Sequence, residues 1–98
     1  MIVVRDIFQI IPDGMKEVRT LAKEGANLMR QSGLPVSRVM TDLVGNYYTL
    51  VLETEYQTLG EYETSLKDSL NNNDFQKWYP PVRKWIKGGN REIYSTIE

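Results

Sequence analysis

An α+β fold, with its elements in the order β-α-β-β-α-β and an extra short helix before the last strand, is what this sequence predicts. Three observations carry that expectation. Several segments rich in β-branched and aromatic residues alternate apolar with polar positions. Two others repeat apolar residues at three- and four-residue spacings. Breaks containing Gly, Pro or Asn divide the one kind from the other. The 98 residues make one domain, 1–98, close to the usual domain size.

Residues 2–11 form the first expected strand, where β-branched residues mixed with Arg5, Asp6 and Gln9 give two unlike faces. Pro12-Asp13-Gly14 ends it, and Asp13 stands where an N-cap would. The helix behind it carries Met15, Val18, Leu21, Ala22, Leu28 and Met29 on one stripe. Gly33 occupies its C′ position and Pro35 prevents its continuation. Residues 36–44 and 47–56 are the second and third strands, joined by Gly45-Asn46 as a two-residue hairpin loop. Thr58-Leu59-Gly60-Glu61 reads as a capping box ahead of a helix with Tyr62, Leu66 and Leu70 at four-residue spacing. Asn71-Asn72-Asn73 breaks that helix, and Asp74 caps a short one carrying Phe75, Trp78, Val82, Trp85 and Ile86. Pro80-Pro81 is expected to kink or split it, because neither ring nitrogen can donate to the helix ladder. Gly88-Gly89 ends it, and residues 91–97 are the last strand. The order is ferredoxin-like: one antiparallel sheet with both main helices on the same face.

Counting outward from Gly45-Asn46 sets the hairpin register, with Arg38 facing Glu53, Met40 facing Val51 and Asp42 facing Thr49. One face then collects Val39, Thr41, Leu43, Tyr48, Leu50 and Leu52, which is a core. The other collects Arg38, Met40, Asp42, Tyr47, Thr49, Val51 and Glu53, continued by Val3, Ile7 and Ile11 of the first strand. That mixed face is too apolar to stay open on a monomer, so a homodimer is expected. Parallel pairing of the first and third strands would bring Arg5 alongside. Arg5, Arg38, Asp42 and Glu53 then form a charged cluster, with Gln9 and Tyr94 near its edge. Glu55 shares the parity of Glu53 but lies near the strand end and is expected to be solvated.

The totals exclude several function classes. Twelve Lys and Arg against 13 Asp and Glu leave a net charge of -1, which speaks against a dedicated nucleic-acid binder. Lys77, Arg83, Lys84, Lys87 and Arg91 do make one segment basic, interleaved with Trp78, Tyr79 and Trp85. The third strand lacks the basic-Gly-aromatic signature of an RNA-recognition module, however, so a solvated basic helix face with buried tryptophans is expected. The chain has no Cys and no His, which removes thiolate chemistry, the commonest general base and the commonest zinc ligand. Carboxylates are not clustered on one loop or helix, so neither a metal nor a cofactor is expected. No apolar run approaches the roughly 20 residues of a bilayer span, and Arg5 and Asp6 come too early for a signal-peptide core. The expectation is a cytoplasmic protein.

The order of elements, with YYTLVLETEY at residues 47–56, DFQKWYPPVRKWIKGG at 74–89 and NREIYSTIE at 90–98, resembles the dimeric α/β-barrel superfamily. Within it the chain is most similar to NIPSNAP-type proteins and their small bacterial relatives. The resemblance covers nearly the whole chain and implies two sheets packed face to face about a two-fold axis, enclosing a partly polar cavity. Haem degraders of this superfamily use a His ligand with an Asn and a Trp, and the absence of His breaks that correspondence. Its cofactor-independent monooxygenases of the antibiotic-biosynthesis type rely on Asn, Tyr or Trp around an aromatic substrate. Trp78, Trp85, Tyr47 and Tyr94 would be the matching residues here, although aromatics at helical or strand spacing more often belong to a core.

A homodimer binding a small organic molecule between its two sheets is therefore expected. Arg5, Gln9, Arg38, Asp42, Tyr47, Glu53 and Tyr94 are the candidate cavity residues. The alternatives are a cofactor-independent monooxygenase and a purely structural or interaction dimer. Asp42 and Glu53 form the one plausible acid–base pair, but neighbouring arginines would hold them ionised.

Overall fold

The computed structural model describes residues 1–36 and 38–98. Strand β1 (Ile2–Ile10) leads through a 3-10 turn (Pro12–Gly14) into helix α1 (Met15–Gln31). Strands β2 (Arg38–Thr41) and β3 (Thr49–Tyr56) follow, then α2 (Leu59–Leu70), α3 (Asn73–Arg83) and β4 (Ile86–Ser95). The strands form one sheet in the order β2-β3-β1-β4. Every neighbouring pair is antiparallel. The parallel pairing expected for β1 and β3 is thus corrected. With β2 and β3 joined as a hairpin and β3 lying between β2 and β1, β3 must run against both.

The hairpin register is the expected one, with Arg38 opposite Glu53 and Met40 opposite Val51. Its tip is not. Gly45-Asn46 does not form a two-residue turn, and residues 42–48 make an open loop. The Thr49 amide donates to the Asp42 carboxylate at 2.8 Å, and the Thr49 hydroxyl donates to the Asn46 carbonyl at 2.9 Å. Tyr48 takes a left-handed backbone (φ 57°), which ends the strand. Leu43 and Tyr48, expected in the core, are consequently exposed, as are Val44 and Tyr47.

The helix boundaries follow local hydrogen bonding. Asp13 lies in the 3-10 turn and does not cap α1, which begins at Met15 without a side-chain cap. Gly33 does close α1, at φ 76°. At α2 the Glu61 amide donates to Thr58 Oγ1 at 3.1 Å, while the Glu61 carboxylate accepts from the Gln57 amide at 2.9 Å. Asn72, not Asp74, caps α3, its side chain accepting from the Phe75 amide at 3.1 Å. Pro80 and Pro81 sit inside α3 and do not split it. They fall in its second half, and the carbonyls they leave without helical donors belong to Gln76 and Lys77, both exposed and so open to water. The last strand begins at Ile86 rather than Arg91 and includes Gly88-Gly89. A side chain on Gly89 would run into the Ile7 carbonyl of β1.

Two tryptophans dock the helical layer. Trp78 lies against Gly25 of α1, where any Cβ would collide with its indole, and its Nε1 donates to the Leu21 carbonyl at 2.7 Å. Trp85, in the turn after α3, lies against Gly14 in the same way and donates to Glu17 Oε2 at 2.9 Å. Ile10, Val18, Ala22 and Leu50 form the closely packed cluster, with Phe8, Met15, Val39, Trp85 and Ile86 around it. The buried residues of α1 beyond Val18 are Ala22, Gly25 and Ala26, and those of α2 are Ser65 and Ser69. Both helices therefore turn small residues inward, and the layer between sheet and helices is only partly filled.

Candidate functional site

Two regions of the sheet concentrate polar chemistry, one on each face. On the face away from the helices, Glu53 of β3 accepts from Arg5 Nε of β1 and Arg38 Nε of β2, both at 3.0 Å. The register dictates this: Glu53 is opposite Arg38 on one side and Arg5 on the other. Glu53 is only 2% exposed, although it sits on an uncovered face, because the two arginine side chains lie across it. Burial pushes its carboxyl pKa up. The hydrogen bonds from Arg5 and Arg38, with their positive charges, outweigh that and hold it below its ordinary value. A carboxylate so held is a poor general acid or base at neutral pH and a good fixed point of charge.

Of the other expected residues, Tyr94 lies beside this group, with the Arg5 guanidinium 5.7 Å from its ring centre. Gln9 stands four residues along, its Nε2 donating to Thr49 Oγ1 at 3.2 Å. Asp42 is corrected out of the cluster, since its carboxylate is engaged by the Thr49 amide at the hairpin tip. Four residues of strand separate Thr49 from Glu53, about 13 Å. Tyr47 is 83% exposed on the tip loop, away from both groups. Glu92, which the register sets opposite Arg5, supplies the second carboxylate expected of Asp42. Glu55 is exposed, as expected.

The other region is a cavity of about 330 Å³ between the sheet and the helices. Leu50, Leu52, Thr54 and Tyr56 of β3 form its floor, and Ala22, Gly25, Ala26 and Met29 of α1 part of its roof. Tyr62 and Ser65 of α2, with Phe75 and Trp78 of α3, close it further. At the edge, Asp6 of β1 accepts from Arg91 of β4, and the Arg91 guanidinium stands 5.6 Å from the Tyr62 ring centre. Sequence reasoning missed this cavity. The signal was Ala22, Gly25 and Ala26 on one helix stripe with Ser65 and Ser69 on another: small residues where a filled core would need Leu or Ile. One chain forms no counterpart of the cavity expected between two sheets, because that space needs a second copy to bound it.

The topology and the two-faced sheet define an α+β protein of ferredoxin-like topology. Its fold is more particularly that of NIPSNAP family proteins. A NIPSNAP family protein of Agrobacterium tumefaciens superposes with a TM-score of 0.91 at 16% identity, over 99% of this chain and 93% of that one. A NIPSNAP domain protein of Burkholderia xenovorans gives 0.89 at 10% identity, over 99% and 95%. A putative antibiotic biosynthesis monooxygenase of Nitrosomonas europaea gives 0.73 at 14% identity, over the full length of both. No family model matches the chain, and no curated protein matches it either. The likeness is therefore one of fold, and it bears out the resemblance read from the sequence at that level. Among the described residues no helix is long and apolar enough to cross a membrane.

Proposed function

We propose that the chain is a homodimer, paired through its open sheet face, that binds a small and mainly apolar organic molecule. The open face supports the first half. Val3, Ile7, Met40 and Val51 lie half-buried around the Arg5–Glu53–Arg38 group, which would fix the register of two facing sheets. The seven candidate residues then divide by role. Arg5, Arg38, Glu53 and Tyr94 belong to this interface region, Gln9 and Asp42 to its far end around Thr49, and Tyr47 to the hairpin tip.

The observation that carries the second half is the cavity of about 330 Å³, which falls within the range of small-molecule sites. Left as an empty void it would cost about 8 kcal/mol, on the scale of roughly 24 cal/mol per Å³. That equals the whole stability of many domains of this size. Apolar walls offer water little in exchange, so an organic occupant is the economical filling.

A neutral lipophilic dye such as Nile red tests the proposal. It is expected to bind the wild-type dimer at one site per chain. Ala26→Leu, which pushes a side chain into the cavity, should abolish binding and raise the melting temperature by about 5 °C. No binding, or binding that survives Ala26→Leu, refutes the cavity as the site. A cofactor-independent oxygenase is the second reading, favoured by the fold shared with the Nitrosomonas protein. Of the four aromatic residues expected to serve such a site, Trp78 is the one that lines the cavity.

A further inference from the structure

The cavity wall is specific about charge. Its charged residues, among those described, are Asp6 and Arg91, and they pair with each other. An anionic ligand would have to displace Asp6 from Arg91, and a cationic one would have to displace Arg91 from Asp6. The hydroxyls of α2 and β3 are also spoken for: Tyr56 donates to Ser65 Oγ at 3.2 Å, and Ser69 donates to the Ser65 carbonyl at 2.9 Å. Among the described residues, the buried side-chain polar atom left without a hydrogen-bond partner is the Tyr62 hydroxyl. Tyr62 lines the cavity, beneath the Arg91 guanidinium. Burial pushes its pKa up, the Arg91 charge pulls it down and Asp6 reinforces the rise, so the phenol keeps its proton at neutral pH and is a donor without an acceptor. Buried polar groups in folded proteins are satisfied almost without exception, by protein, water or ligand.

We infer that the cavity takes a neutral, lipophilic carbonyl compound (a ketone, aldehyde or ester) whose oxygen accepts from the Tyr62 hydroxyl while its apolar body lies along the Leu50–Leu52 floor. This rests on the proposed occupation of the cavity and adds the chemical class of the occupant. The paired Asp6 and Arg91 select against charged analogues of the same shape. Tyr62 is then a specificity-determining residue: it adds little to the binding of a hydrocarbon and much to that of a carbonyl.

A matched eight-carbon series decides it, each member displacing Nile red from the wild-type protein and from Tyr62→Phe. The probes are octane, 2-octanone, octanoate and octylammonium. Wild type is expected to bind 2-octanone and octane and to discriminate against both ions. Tyr62→Phe should weaken 2-octanone by about three- to tenfold, the range of one hydrogen bond, and leave octane unchanged. In the ligand-free protein the same substitution should hold or raise the melting temperature, because it removes an unsatisfied buried hydroxyl. If no probe displaces the dye, the cavity is not a binding site and the function proposed above fails. If probes bind but octanoate binds best, or Tyr62→Phe leaves 2-octanone unaffected or lowers the ligand-free melting temperature, the carbonyl assignment alone is overturned.

Discussion

Glu53 is ionised, almost without solvent contact, and on the face of the sheet that the described helices leave open. Replacing it by Gln keeps the shape and removes the charge that holds Arg5 and Arg38 together. With both arginines partly solvated, the expected loss at pH 7 is about 1–2 kcal/mol, the lower part of the range for charged hydrogen bonds. Because the folded-state pKa is depressed, this stabilisation is fully present above the ordinary carboxylate pKa and disappears as the pH falls through the folded value. Denaturant melts from pH 7 downward should therefore show an acid limb in wild type that Glu53→Gln flattens, while Glu55→Gln, at an exposed position, should keep it. Equal curves for all three would show that the ion group contributes nothing. The Arg38–Glu53 pair was legible in the sequence because a hairpin register propagates by simple counting. Asp42 was not, since its side chain closes the loop instead of standing on the strand face, and alternation along a strand says nothing about loop hydrogen bonds.

At the scale of elements, the helical layer hangs on α3 and the turn behind it. Truncating Trp85 to Ala should lower stability by about 3 kcal/mol, toward the lower end for buried aromatics because it is only half-buried. Thr58→Ala should cost about 1 kcal/mol through loss of the α2 cap. Chemical denaturation followed by circular dichroism reads both, and an unchanged midpoint for Trp85→Ala would remove it from the packing of the domain. Caps and breaks were readable because each is a local bond between near neighbours, as Thr58 with Glu61 shows. The continuity of α3 through Pro80-Pro81 was not readable, because it depends on which carbonyls lose their donors and whether those face water. The early start of β4 depends likewise on β1 accepting a strand at Gly89, a tertiary fact.

At the scale of the molecule, the assembly is the largest open expectation with a direct test. Val51 lies half-buried near the middle of the open face, and Val51→Lys puts a charge where two sheets would meet. Light scattering at micromolar concentration should give twice the chain mass for wild type and a shift toward the monomer for Val51→Lys. A monomeric wild type would end the dimer proposal. The two-faced sheet was legible from composition along the strands. The under-filled layer beneath it was not sought, because a stripe of Ala, Gly and Ser satisfies helical periodicity as well as Leu does while leaving volume unassigned.

The sheet order has a consequence for how the chain finds its structure. Strand β1, made first, lies between β3 and β4, so Ile2 is opposite both Tyr56 and Ser95. Only the β2–β3 hairpin closes a short loop, joining Arg38 to Glu53. Every other strand pairing must first bring together distant parts of the chain, and that loss of freedom comes before any reward from contact. The central strand is thus the earliest synthesised and the last completed, with both its edges unpaired until the hairpin and β4 arrive. During that interval Ile2, Val3, Val4 and Ile7 form the segment most open to pairing with another chain.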